Sequence, residues 1–187
     1  MNNNTFRLPA EWEEQSAIML TWPHAETDWQ PTLSAITDVY ITLVQAISVV
    51  ELVVIVCHTA TLQQDVSDLL QRHGVNLSQV RFVVAPCNDT WARDHGPITL
   101  INDHGATQML DFEFNAWGAK YAANFDNEIT GHLLQSPFIK VDASRKVDFV
   151  LEGGSIESDG NGGLLTTTRC LLNDNRNSQY IQDEIEH

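Results

Sequence analysis

Two short stretches of this chain concentrate groups able to hold an organic cation. Asn88-Asp89-Thr90-Trp91-Ala92-Arg93-Asp94-His95-Gly96-Pro97 sets two carboxylates, an indole, an arginine and a histidine in a loop that Gly96 and Pro97 close. Leu151-Glu152-Gly153-Gly154-Ser155 places a lone carboxylate where a hydrophobic strand meets two glycines, which let another backbone or a ligand come close. A guanidinium is planar, stays cationic at any pH of interest and offers its donors in a fixed fork. A site for it needs acceptor-only groups and an aromatic face. Asp94 and Glu152 can supply the acceptors, and Trp91, just upstream of Asp94, can lie over the plane as a cation-π wall. Asp94 follows one strand and Glu152 ends another, so the two can meet at one mouth of the fold.

The neighbouring residues admit plainer roles. Asp89 before Thr90 reads equally as a turn or capping residue and as a ligand. Arg93 beside Asp94 reads as an internal ion pair, because a cationic substrate would be repelled by it. His95 reads as a loop histidine bonded to backbone, with a general acid as the alternative. Trp117, in a Gly-containing loop, reads as a core anchor before a lid. Cys57 and Cys170 read as buried inert thiols, and Cys87, close to several carboxylates, is a poor nucleophile.

The elements that must position these groups alternate between strand and helix. Ser16 to Trp22, Glu51 to Cys57 and Val80 to Ala85 read as buried strands. Leu33 to Val49 reads as a helix with Pro31 suited to its first turn, and Thr61 to Arg72 as an amphipathic helix with Thr61 as cap and Gly74 as stop. Ile98 to Ile101 and Thr107 to Phe114 suggest a hairpin turning at Asp103-His104-Gly105. Beyond it come a short helix at Asn127 to Leu134 and strands at Val147 to Leu151, Gly154 to Glu157 and Leu164 to Thr168. A last helix begins at Gln179 and runs to His187. The pattern is α/β, and with no long linker the whole of 1–187 reads as a single folding unit.

Composition narrows the classes of partner. With 25 acidic against 10 basic residues the formal charge is -15, so the long-range field repels nucleic acid and anionic membranes and attracts cations. No apolar run approaches a membrane span and no signal-like segment opens the chain, which suggests a cytoplasmic protein. Three widely spaced cysteines suit reduced thiols better than disulfides or a zinc cluster, so metal is not expected.

NDTWARDHGP, LDFEFNAWGAKY and LEGGSIESDGNGGLLTTTRCLLNDNRN closely resemble segments of the agmatine deiminases, guanidine-modifying enzymes of the peptidylarginine-deiminase type. The likeness runs from Leu8-Pro9-Ala10-Glu11-Trp12 to the last residue. It implies a pseudo-fivefold α/β propeller, the pentein fold, with no metal or organic cofactor. It also implies hydrolysis of agmatine to N-carbamoylputrescine and ammonia, in which a cysteine thiolate attacks the guanidinium carbon and a histidine moves protons. By resemblance, Asp94 and Glu152 bind and orient the guanidinium and Trp91 lines its pocket.

The family's catalytic histidine stands in a His-x-Asp motif and its nucleophile in a Gly-rich segment ending His-Cys. None of His24, His58, His73, His95, His104, His132 or His187 begins a His-x-Asp, and no cysteine stands in the nucleophile's context. The resemblance therefore implies the N-terminal portion of a deiminase propeller, a single incomplete domain inactive by itself. It should associate through exposed propeller edges or as a homo-oligomer. The alternatives are a deiminase of another guanidine, peptidylarginine or arginine, and a non-catalytic guanidine- or polyamine-binding fragment.

Overall fold

In the computed structural model, which describes residues 5–185, three parallel strands form the first sheet, in the order β1 (Ala17–Thr21), β2 (Leu52–Cys57), β3 (Val80–Val84). The central strand is apolar throughout because both its faces are covered. Side chains alternate across a strand, so Val53, Ile55 and Cys57 join one core with Ile41, Val44, Val66 and Leu70. Val54 and Val56 join a second core with Val83, Ile129 and Leu133. The crossovers are helices α1 (Leu33–Ile47) and α2 (Ala60–Arg72), and the short helix Ile129–Leu134 covers the other face. These elements belong to one compact unit, residues 14–92 and 124–139.

Local chemistry sets the ends of its helices. Pro31 lies in a single 3-10 turn, Gln30–Thr32, just ahead of α1. The cap of α2 is Thr59, not Thr61: its hydroxyl accepts from the Leu62 amide at 3.1 Å while its own backbone stays extended. Gly74, at φ 75°, ends the turn after α2 in the left-handed region where a side chain is disfavoured.

The second unit, residues 5–13, 93–123 and 140–185 of those described, holds a mixed sheet and a hairpin. β4 (Ile98–Ile101) and β5 (Thr107–Glu113) pair antiparallel as expected, and Asn102 fixes their turn by accepting from the His104 and Ala106 amides, each at 2.9 Å. β6 (Ala143–Val150) lies parallel to β5 and starts before the expected Val147. Ala143 to Lys146 are all exposed, so backbone pairing extends the strand where no apolar pattern announces it. Gly153–Ser155 is a 3-10 turn where a strand was expected, and β7 (Ile156–Ser158) follows it, paired with β8 (Leu164–Thr166). Of the final helix, Gln182–Ile185 is helical and residues 186–187 lie outside the described part.

Residues 116–119 form a left-handed turn, with φ of 48°, 59°, 87° and 59°. Three of the four are not glycine, and each such residue costs roughly 1–2 kcal/mol. Asn115 offsets part of this by accepting from the Gly118 amide at 2.8 Å. No helix among the described residues is long and apolar enough to cross a membrane.

Candidate functional site

Glu152 follows β6, and the end of that strand is clamped. Asn177, 2% exposed, accepts from the Val150 amide and donates to the Val150 carbonyl, both at 2.8 Å, so it stands in for a missing neighbouring strand. Leu151 donates to the Glu113 carbonyl at 3.0 Å. The next residue therefore leaves a fixed backbone.

Glu152 is itself buried, and one oxygen accepts from Arg176 Nε at 2.6 Å, with the two side chains 5% and 8% exposed. The other oxygen, Oε2, has no partner among the described residues. A buried carboxylate oxygen without a donor is costly unless a ligand supplies one. Arg176 is held in turn through Asn175, whose side chain accepts from its Nη1 at 2.5 Å and whose carbonyl accepts from Asn115 at 2.8 Å.

Asp94 lies half-buried in the short helix Ala92–His95, and its Oδ1 accepts from the Gly154 amide at 3.0 Å. The two glycines permit this approach. A Cβ on Gly153 would collide with the Arg93 carbonyl oxygen, and one on Gly154 with the Asp94 carboxylate. The loop that begins at Glu152 is thus seated directly on the segment carrying Asp94.

The neighbours resolve differently. Arg93 forms its ion pair with Glu11, not with Asp94. His95 is buried at 4% exposure, its ring 6.2 Å from Phe114. Phe114 and Tyr121 each meet Trp117 edge-on, at 5.3 and 5.9 Å. Cys170 is only half-buried, unlike the buried thiol expected.

Trp91 belongs to the parallel-sheet unit, is 42% exposed and faces Trp29 with centroids 6.4 Å apart. Asp89 is a turn residue. Its oxygens accept from the Thr90 amide at 2.7 Å and the Asp28 amide at 3.0 Å.

That unit also gathers groups that their sequence separation concealed. His24, His58 and Cys87 follow β1, β2 and β3, and Cys87 Sγ lies 3.5 Å from His24 Nε2 and 3.9 Å from His58 Nδ1. The imidazoles stack with centroids 4.2 Å apart. Burial pushes the Cys87 thiol up to about 12, helped by Asp126, and Cys57 reaches about 12 by burial alone, so neither is a thiolate at neutral pH. Burial and His58 hold His24 below its ordinary value, hence neutral.

A model of the Porphyromonas-type peptidyl-arginine deiminases matches residues 7–187. The chain belongs to this family. It is 34% identical over 186 residues to an agmatine deiminase of Stutzerimonas stutzeri and 35% to one of Pseudomonas syringae pv. syringae. Each match covers 97% of this chain and 48% of the relative, so the chain spans about half the length of these deiminases. Among solved structures, a cysteine-to-serine variant of C. jejuni agmatine deiminase with substrate bound superposes with a TM-score of 0.84 at 36% identity, over 97% of this chain and 51% of that one. The agmatine deiminase of Enterococcus faecalis gives 0.78 at 32%, over 97% and 48%. The α/β fold expected from the resemblance is therefore present, as part of the pentein propeller of these deiminases.

Within the family frame, Arg176 is the residue that the motif reading passed over. A lone arginine in an Asn-rich run of a strongly acidic chain was the available signal.

Proposed function

We propose that this chain carries the guanidinium-binding part of an agmatine deiminase, which hydrolyses agmatine to N-carbamoylputrescine and ammonia. Glu152 Oε2 and Asp94 accept from the guanidinium N–H groups, and Trp91 contributes an aromatic face. A thiolate from a cysteine other than Cys57, Cys87 and Cys170 adds to the guanidinium carbon. The carbon–nitrogen bond breaks as a histidine protonates the departing ammonia, and water then cleaves the carbon–sulfur bond, restoring the thiol. The residues 1–187 belong to a single propeller domain, with no organic cofactor in the chemistry and a cytoplasmic setting for its thiols. Association through propeller edges is part of the same reading.

The observation that carries it is the buried Glu152 carboxylate, fixed through one oxygen and open at the other. An arginine-specific site needs a cation for the α-carboxylate, a part that Arg176, bound to Glu152, and Arg93, bound to Glu11, do not offer and for which Lys120 remains. The activity of the relatives, agmatine deiminases, favours agmatine.

Ammonia release from agmatine and from arginine, measured on a chain extended to the relatives' length, tests the reading. Agmatine should be turned over and arginine should not. Comparable turnover of arginine overturns the substrate assignment. Residues 1–187 alone should release no ammonia; turnover that alkylation of Cys57, Cys87 and Cys170 abolishes would put the nucleophile among these three.

A further inference from the structure

We propose that His24, His58 and Cys87 form a zinc site at the carboxyl edge of the parallel sheet. Loops that follow neighbouring parallel strands gather at one edge of the sheet. Here β1, β2 and β3 each deliver one donor from that end: His24 shortly after Thr21, His58 directly after Cys57 and Cys87 shortly after Val84. Side chains far apart in sequence thus place two imidazole nitrogens and a sulfur within 4.8 Å of one another. With Zn–S near 2.3 Å and Zn–N near 2.05 Å, the edge of a zinc tetrahedron is about 3.6 Å. The observed separations, 3.5 and 3.9 Å, bracket that length.

Coordination exchanges specific hydrogen bonds. His58 Nδ1 lies 3.1 Å from both the amide and the carbonyl of Cys87, and ligation through Nδ1 selects the tautomer that accepts from the amide and carries its proton on Nε2. Its ring must turn out of the stack so that the lone pair points at the metal. His24 Nδ1 takes only a long bond, 3.3 Å, from the Glu26 amide. Ligation through Nε2 moves the proton to Nδ1, where the Glu26 carboxylate, whose charge already acts on this ring, can accept it as an outer partner.

The sulfur changes state. Zinc displaces the Cys87 proton to solvent and a Zn–S bond replaces S–H; no oxidant or reductant takes part. The nearby Asp89 and Asp126, which disfavour a bare thiolate, instead favour the dication. His58 is half-buried, and His24 lines one wall of a cavity of about 500 Å³ together with Asp65 and Asp68. Three protein ligands leave a fourth position for water or an outside donor.

The test is zinc uptake by the metal-stripped chain against a chromophoric chelator, with cobalt as a spectroscopic probe. One zinc per chain should bind with Kd below about 10 μM, releasing one proton. Cobalt should show sulfur-to-metal charge-transfer absorption. Cys87→Ser and His24→Ala should each weaken uptake by at least about 100-fold, more than the tenfold or so expected for Glu26→Gln as an outer partner. Cys57→Ala should leave it unchanged. Weaker uptake by the wild type, cobalt spectra without the sulfur band, or equal uptake in folded Cys87→Ser and His24→Ala overturns the site. Circular dichroism verifies the variants' fold, and should one unfold, the wild-type cobalt spectrum decides alone.

Discussion

The carboxylates of the mixed sheet and the imidazole–thiol trio of the parallel sheet both stand where strands run out, yet they are held in opposite ways. Glu152 is locked by Arg176, and Asp94 by the Gly154 amide, so their directions exist before any ligand arrives. His24, His58 and Cys87 are hydrogen-bonded to backbone and to one another, and become a donor set only when rings turn and the Cys87 proton leaves. Fixed carboxylates suit a substrate that must be oriented within a fraction of an ångström. A protonated thiol flanked by two imidazoles suits an ion whose binding displaces the thiol proton. The two regions should therefore respond to different probes.

The largest separation is expected from removing the carboxylates. Asp94→Asn or Glu152→Gln, in a chain of the relatives' length, should lower turnover of agmatine about a thousandfold, the scale of losing one partner of a buried charge contact. Zinc uptake should not change. Near wild-type turnover in either variant removes that residue from the guanidinium site.

Arg176 tests how the fixed site is held. Arg176→Gln alone leaves the Glu152 carboxylate buried and without its cation, at a cost of about 3–5 kcal/mol in stability. The double variant with Glu152→Gln restores most of that, because the remaining amides can hydrogen-bond without burying a charge. Urea unfolding of the four proteins reads the coupling directly. Additive losses would mean that the pair contributes no mutual stabilisation and that Glu152 is placed by Asn177 and the backbone alone.

This contrast also accounts for how much the sequence disclosed. The approach of the Glu152 loop to Asp94 was legible in Gly153-Gly154, where a Cβ would collide with the Arg93 carbonyl and the Asp94 carboxylate, and the Gly154–Asp94 contact is that approach. The strands of the parallel sheet were legible because burial on both faces leaves a continuous apolar run such as Leu52–Cys57. Ala143 to Lys146 of β6 were not, since backbone pairing with exposed side chains writes no pattern. Nor was the partner of Arg93. Adjacent residues such as Arg93 and Asp94 need not face each other, and the nearby acid in space is Glu11. The trio was invisible for a similar reason, because its spacing is set by whole crossover helices and resembles no ligand motif.

Asp126 offers an intermediate effect in the parallel-sheet unit. Burial raises its carboxyl from the ordinary 3.8 to about 6, against the bonds it accepts from the Asn88 and Asp89 amides. The folded state therefore holds this proton to higher pH than the unfolded chain. Its contribution to stability falls as pH rises from about 4 to about 6, by about 3 kcal/mol in all. In metal-free protein, the stability of Asp126→Asn relative to wild type should rise by that amount across this window, above a constant cost for the Asp89 amide losing its acceptor. A difference that stays flat with pH would show that Asp126 is ionised without penalty.

Trp91 carries the smallest effect and the finest distinction. Its ring is 42% exposed, and a cation over an exposed indole gains only about 0.5–1 kcal/mol, so Trp91→Leu should weaken agmatine binding about two- to fivefold. Thiolate addition neutralises the guanidinium, so the interaction stabilises bound substrate more than the transition state. KM should therefore rise while kcat does not fall, and zinc uptake should be untouched. A fall in kcat of a hundredfold with little change in KM would give Trp91 another role. It would then act through the chain, by setting the short helix Ala92–His95 that carries Asp94, and the cation-π assignment would be withdrawn.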